Sequence, residues 1–275
     1  MEIAFYGDKF VDINEKVVPI QERGHQFGDG IYEVIRVYDG TPFLLDEHLE
    51  RLVNSAEAIM LELPYSIEKI KEIINEGLQK TEFTEVEIYI QITRGIAPRA
   101  HLFPNVSSEI SMTFKQARIV DKEKRENGVS VTLLEDERWK NCYIKSLNLL
   151  PNVIAKQKAV SGGHEEAILV RDGFITEGSS SNIFVVKEGT LYTTPASKQI
   201  LHGITRAAVI KLANKLNIPF EEKTFDASFL KQCDEAFITS TSVEVLPISK
   251  IDEYELTSDR PIVDSLKVAF QNLYS

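Results

Sequence analysis

The sequence predicts an α+β protein in two domains, and three observations carry that prediction. Alternating apolar residues mark strands in both halves, apolar stripes at helical spacing mark helices among them, and no regular βαβα rhythm links the two. At 275 residues the chain can build two compact cores. The expected division is an N-terminal α+β domain over 1–119, a linker over 120–128 and a C-terminal α+β domain over 129–275.

In the first half, Leu45, Leu49, Leu52, Val53, Ala56 and Met60 recur at helical spacing, and Ile67, Ile70, Ile73, Ile74 and Leu78 do so again beyond Pro64. Ile88, Ile90 and Ile92 alternate as in a half-buried strand, and Ile110, Met112 and Phe114 repeat the pattern. The charged stretch VDKEKRENG interrupts these patterns, which is why it reads as the linker, and VSVTLLE restarts them as a strand. A strand at EAILVRDG, a hairpin across FVVKEGTLYTTP and a helix running from Ile204 to near Asn217 follow. Strands at EAFITST and VEVLPI come next. The last segment, PIVDSLKVAFQNLYS, reads as a helix with Pro261 in its first turn and a stripe of Ile262, Leu266, Phe270 and Leu273.

Hydrophobic residues make up 43% of the chain and charged residues 27%, the balance of a soluble folded protein rather than a disordered one. A formal net charge of −11 repels polyanions, so no nucleic-acid partner is expected, while a local basic pocket for one small phosphate stays compatible. Cys142 and Cys233 form neither a disulfide framework nor a metal-ligand set, which points to a reducing compartment and no metal. The opening MEIAFYGDKF lacks a basic segment followed by an apolar core, and no run of about eighteen apolar residues occurs. The expected location is the cytoplasm, without a membrane segment.

Candidate chemistry begins with CYIKSLNLL, where Lys145 stands among apolar neighbours just before a helix-like run. A lysine there either lies on the wet face of a half-buried strand or is a reactive amine. Three polar islands accompany it: GHQFGDGIYEVIR at 24–36, TRGIAPRAHLFP at 93–104 and TEGSSSNIF at 176–184. Each places turn-forming residues beside ionisable groups, and each taken alone reads more readily as an ordinary turn than as a site.

Together, RGHQFGDGIYEVIRVYDG, EHLERL, RGIAPRAH, IKSLNLL, TEGSSSNIF, GITR and TSTSVEVLP, in that order over nearly the whole chain, resemble the fold-type IV (class IV) aminotransferases that use pyridoxal phosphate. Within that family Arg99-Ala100-His101 resembles the D-amino-acid aminotransferase branch. The resemblance implies a two-domain fold with the active site between the domains. It implies that Lys145 is the catalytic residue, joined to the cofactor aldehyde as a Schiff base, and that Glu177 faces the pyridine nitrogen. Apolar surroundings suit such a lysine, because only the unprotonated amine is nucleophilic and burial disfavours the ammonium form. A carboxylate at the ring nitrogen keeps it protonated and the ring able to accept electrons.

The resemblance further places Arg51, the start of the helix at Ile204 and Thr205, and Thr241 at the cofactor phosphate. Each also has an ordinary reading: Arg51 stands four residues from Glu47 on a helix, Thr205 can cap a helix, and Thr241 can turn a loop. Tyr32, Arg99 and His101 resemble the substrate-carboxylate set of the D-amino-acid branch. There the arginine and histidine come from the neighbouring subunit, which implies a homodimer. The implied reaction is ping-pong transfer of an amino group from a D-amino acid such as D-alanine to a 2-oxo acid such as 2-oxoglutarate. A branched-chain L-amino-acid aminotransferase would share the lysine, glutamate and phosphate site, and aminodeoxychorismate lyase would use the same cofactor for elimination. His25 and Tyr143 depart from the D-amino-acid branch, where a tyrosine and an acidic residue respectively are common. These two departures bear on substrate range. A non-catalytic binding protein would be signalled by loss of Lys145, Glu177 or Arg51, and all three are present.

Overall fold

A computed structural model describes residues 1–274. The chain forms two compact α+β units: Met1–Arg118 together with Ile144–Asn148 make the first, and Ile119–Tyr143 with the described residues from Leu149 onward make the second.

The first unit contains β1 (Ile3–Tyr6), β2 (Lys9–Asp12), α1 (Arg23–Phe27), β3 (Gly30–Tyr38), β4 (Thr41–Pro42), α2 (Leu45–Ala58), α3 (Ile67–Lys80), β5 (Val86–Thr93) and β6 (Glu109–Gln116). Its six strands pair antiparallel in the order β2-β1-β6-β5-β3-β4. The alternation expected for β5 and β6 is present: Ile88, Ile90, Ile92, Ile110, Met112 and Phe114 are all buried. α3 lies so close to this sheet that a Cβ on Gly77 would fall 2.2 Å from Phe114 Cζ, so only glycine fits there. The apolar stripe of α2 ends earlier than expected. Ile59 and Met60 close the helix by donating their N–H groups to Ala56 and Glu57, and Met60 turns left-handed (φ 53°) with its side chain outward.

The second unit contains α4 (Lys122–Asn127), β7 (Val129–Glu135), α5 (Leu150–Ser161), β8 (Glu166–Arg171), β9 (Phe174–Gly178), β10 (Asn182–Lys187), β11 (Thr190–Thr193), α6 (Ile204–Lys215), β12 (Phe220–Glu222), α7 (Ala227–Lys231), β13 (Glu235–Ser240), β14 (Glu244–Ile251), β15 (Tyr254–Glu255) and α8 (Pro261–Gln271). Nine strands form a mixed sheet in the order β12-β11-β10-β13-β14-β7-β8-β9, with β15 beside β14. Its core includes Val131, Ile168, Ile183, Ile238 and Ile248, and Phe184 stacks on Phe237 at 4.9 Å. The β10–β11 turn is Glu188-Gly189, both with positive φ (52° and 75°), the two-residue turn whose twist matches a hairpin.

Three local expectations change. The charged stretch 120–128 carries α4, capped by Asp121, and Arg125 pairs with Glu244 of β14 at 2.8 Å. Its charges find partners on the second unit, so most of the stretch is ordered helix. The buried face of α8 is Val263, Leu266 and Phe270, whereas Ile262 is half-buried and Leu273 lies past the helix end, exposed. Lys145, which chain order places among the residues of the later domain, groups with the first unit because its backbone pairs with β3.

Candidate active site

Residues 144–148 run antiparallel beside the first residues of β3. Ser146 bridges Ile31, Tyr32 N donates to the Lys145 carbonyl at 2.9 Å, and Leu147 N donates to the Gly30 carbonyl at 3.1 Å. Lys145 N donates to Ser55 Oγ of α2 at 3.2 Å. The segment is therefore a short clamp rather than a full strand. It buries Ile144 and Ser146, leaves Lys145 half-buried, and sets the lysine ammonium 4.3 Å from the centre of the Tyr32 ring. Tyr32 in turn stacks on Tyr89 at 5.7 Å, so the ring under the amine is fixed from behind.

Beside this amine lies a buried ionic network. Glu33 occupies the apolar face of β3 with Ile31 and Ile35 and is fully buried. Arg51 grips it as a fork, Nε to Oε1 at 2.7 Å and Nη2 to Oε2 at 2.9 Å, and His48 Nδ1 meets Oε2 at 2.8 Å. Burial alone would raise the Glu33 carboxyl; Arg51 and His48 outweigh it and hold it at about 2. Burial keeps the His48 imidazole below the usual histidine value despite the carboxylate. The spacing to Glu47 on its own helix concealed this partner of Arg51.

In the second unit, Glu177 on β9 is 4% exposed. It accepts from Asn182 Nδ2 at 2.9 Å, from Leu201 N at 3.0 and 3.1 Å, and from Arg138 Nη1 at 2.5 Å. Burial lifts its carboxyl to about 7 against the pull of Arg138. Arg138 is shared with Asp136, which also pairs with Arg171 at 2.9 Å and accepts from Thr176 Oγ1 at 2.9 Å.

Asn182 also donates to the Leu201 carbonyl at 2.9 Å, and a Cβ on Gly203 would fall 2.1 Å from its Oδ1. Gly203 is the N-cap of α6 and offers no side chain to cap it. Ile204 and Thr205 lie in the first turn, so Thr205 is inside the helix rather than its cap. Thus Glu177 and the start of α6 meet around one side chain, Asn182. Thr241 opens the turn between β13 and β14, half-buried. Of the two departures, His25 is exposed on α1, and the Tyr143 ring lies 6.5 Å from that of His202.

Arg99 and His101, both exposed, are brought together on one aromatic ring. The Arg99 guanidinium is 4.7 Å from the centre of Phe27, and the His101 ring is 5.7 Å from it. Tyr32, expected in the same set, lies beside Lys145 in this chain. Sequence reasoning named the three polar islands but passed over Glu33, His48, Arg138, Asp136 and Asn182. Glu33 carried a readable signal, a carboxylate at an apolar-face position of β3. Asp136 and Arg138 carried none, since DERWK looks like a surface run.

Residues 30–251 match the family model for class IV amino-transferases, and the chain belongs to that family. Its curated relatives include the D-alanine aminotransferase of Staphylococcus haemolyticus, 42% identical over 98% of this chain and 97% of that one. Among solved structures, the Escherichia coli branched-chain amino acid aminotransferase superposes with a TM-score of 0.92 at 26% identity, over 99% of this chain and 94% of that one. Another branched-chain amino acid aminotransferase, solved with pyridoxamine 5'-phosphate, gives 0.90 at 26% identity over 98% and 93%. The chain is thus a transaminase of a family that works with pyridoxal phosphate. The donor set present fits that group. Each unit by itself offers suitable groups: in the second, Glu177 is a buried carboxylate that a protonated ring nitrogen would neutralise and α6 begins with an uncapped turn suited to phosphate; in the first, Lys145 is a half-buried amine whose charge and that of Arg51 both reach His48.

Proposed function

We propose that the chain is a D-amino-acid aminotransferase that moves the amino group of a D-amino acid such as D-alanine to a 2-oxo acid such as 2-oxoglutarate, by a ping-pong course. The observation that carries the D-amino-acid reading is the pairing of Arg99 and His101 on Phe27, a ready carboxylate trap. Near full-length similarity to D-alanine aminotransferases supports it. In this reading Arg99 and His101 serve the neighbouring subunit of a homodimer. Two buried thiols and the absence, among the described residues, of a helix long and apolar enough to cross a membrane accord with a cytoplasmic setting.

Pyridoxal phosphate, when bound, supplies an electrophilic aldehyde and a ring that accepts electrons from the substrate's α carbon. Lys145 Nζ would hold the aldehyde, and Arg51, the first-turn amides of Ile204 and Thr205, and Thr241 would hold the phosphate. Glu177 would share the ring-nitrogen proton, with Arg138 behind it favouring the carboxylate. Arg99, His101 and Tyr32 would orient the substrate by its carboxylate. Lys145 Nζ would also be the base for the α proton, and its fixed backbone would keep that transfer to one face.

The test is a single turnover of the purified enzyme, following cofactor absorbance after mixing with D-alanine and, separately, with L-leucine. Rapid bleaching by D-alanine is expected. Bleaching by L-leucine alone would move the assignment to a branched-chain L-amino-acid aminotransferase.

A further inference from the structure

The loop that carries Arg99 and His101 is fastened by a buried ionic bracket. Arg23 Nε donates to Asp29 Oδ2 at 2.8 Å, and Arg94 Nε donates to both Asp29 oxygens at 3.0 Å. Both guanidinium groups are nearly out of water, at 4% and 9% side-chain exposure. Each continues beyond Asp29 to the backbone. Arg94 reaches the Met60 and Ile59 carbonyls at 2.7 and 2.8 Å, just past the end of α2. Arg23 Nη1 reaches the Ala100 carbonyl at 2.7 Å, and Ala100 is the residue between Arg99 and His101.

The Phe27 ring completes the bracket, since the Arg23 guanidinium lies 4.8 Å from the same centre that Arg99 and His101 approach. An arginine on an exposed loop ordinarily samples many rotamers, and ordering it costs affinity for any carboxylate it binds. Here the backbone between the two side chains is pinned, and one aromatic ring is approached by both heads.

We propose that Asp29 and Phe27 are positioning residues for the substrate carboxylate: Asp29 acts through Arg23 to fix Ala100, and the Phe27 ring sets the spacing of Arg99 and His101. This rests on the reading of Arg99 and His101 as the carboxylate pair. Both would act on the substrate only through Arg99 and His101.

The test uses holoenzyme with Asp29→Asn, Phe27→Leu and Phe27→Tyr, measured with D-alanine and with propan-2-amine, which lacks the carboxylate. Asp29→Asn should raise the D-alanine KM by ~10-fold, through loss of charge-assisted hydrogen bonds, with little change in kcat. Phe27→Leu should raise it by ~3-fold, and Phe27→Tyr, which keeps the ring, should stay near wild type. Calorimetric titration with propionate should show the same losses of affinity, while the rate of reaction with propan-2-amine stays level. In an Arg99→Ala background the Asp29→Asn effect on D-alanine should largely vanish, because the two act through one contact.

Equal losses for both amines, or a full Asp29→Asn effect that persists without Arg99, would overturn the proposal. Unchanged D-alanine kinetics in Arg99→Ala alone would instead overturn the carboxylate-pair reading, and the proposal with it. Should Asp29→Asn fail to fold, the contrast of Phe27→Leu with Phe27→Tyr decides the matter.

Discussion

Replacing Glu177 with glutamine tests the electrostatics of the proposed ring-nitrogen site before any cofactor is added. The folded, cofactor-free chain holds the Glu177 carboxyl at about 7, mainly through burial, against an ordinary value of 4.5. Between those values the folded state keeps a proton that the unfolded chain has released. Stability therefore falls as pH rises through this window and levels off above it. The gap, at about 1.4 kcal/mol per pH unit, amounts to about 3 kcal/mol lost between pH 4.5 and pH 8. Glutamine mimics the protonated form at every pH and removes this dependence, whatever it costs in contacts with Arg138 and Asn182. Urea denaturation of cofactor-free wild type and Glu177→Gln at pH 5 and pH 8 should show the variant gaining on wild type by about 2–3 kcal/mol. Parallel pH dependence of the two proteins would refute the reasoning. The functional corollary is that Arg138 alone does not offset the burial of this carboxylate, so under the proposed function a protonated pyridine ring would supply a second cation.

Glu33 should behave with the opposite sign. Its carboxyl is held at about 2, so its contribution is complete above pH 4.5 and disappears as pH falls toward 2. Glu33→Gln should cost about 3 kcal/mol at pH 7, weaken cofactor affinity by loosening Arg51, and lose its deficit against wild type in acid; a constant gap would contradict this. Gly77→Ala gains about 1 kcal/mol of helix propensity but drives a methyl to within 2.2 Å of the Phe114 ring, costing about 1–3 kcal/mol, so the melting temperature should fall. A rise would show that α3 can shift from the sheet without loss.

Local pattern was legible wherever sequence neighbours share a face. The apolar alternation of Ile88, Ile90 and Ile92 and the stripe of Ile70, Ile73 and Ile74 carry over residue by residue. It failed at helix ends. There Met60 and Leu273 keep helical spacing in the sequence, but the backbone has already turned, and spacing does not encode the turn. Lys145, Arg51 and Glu177 stood out because their motifs are contiguous. The residues that tune them did not. Arg138 lies 39 positions from Glu177, and Arg23 lies 77 positions from the Ala100 carbonyl it holds. Such partners become neighbours only through sheet register, which no short window contains.

The clamp of residues 144–148 on β3 also orders events in time. The first 118 residues emerge from a ribosome as a nearly complete unit, yet the edge of β3 away from β5 stays uncovered at its N-terminal end until residue 148 has been made. At ordinary rates of synthesis that interval is roughly 2–6 s, long compared with the closing of a short loop or hairpin. Throughout it the Gly30 carbonyl and the Tyr32 amide are an open edge, able to pair with any passing strand. The Lys145 amine is thus seated late, and the backbone that seats it also shields a newborn sheet from its neighbours.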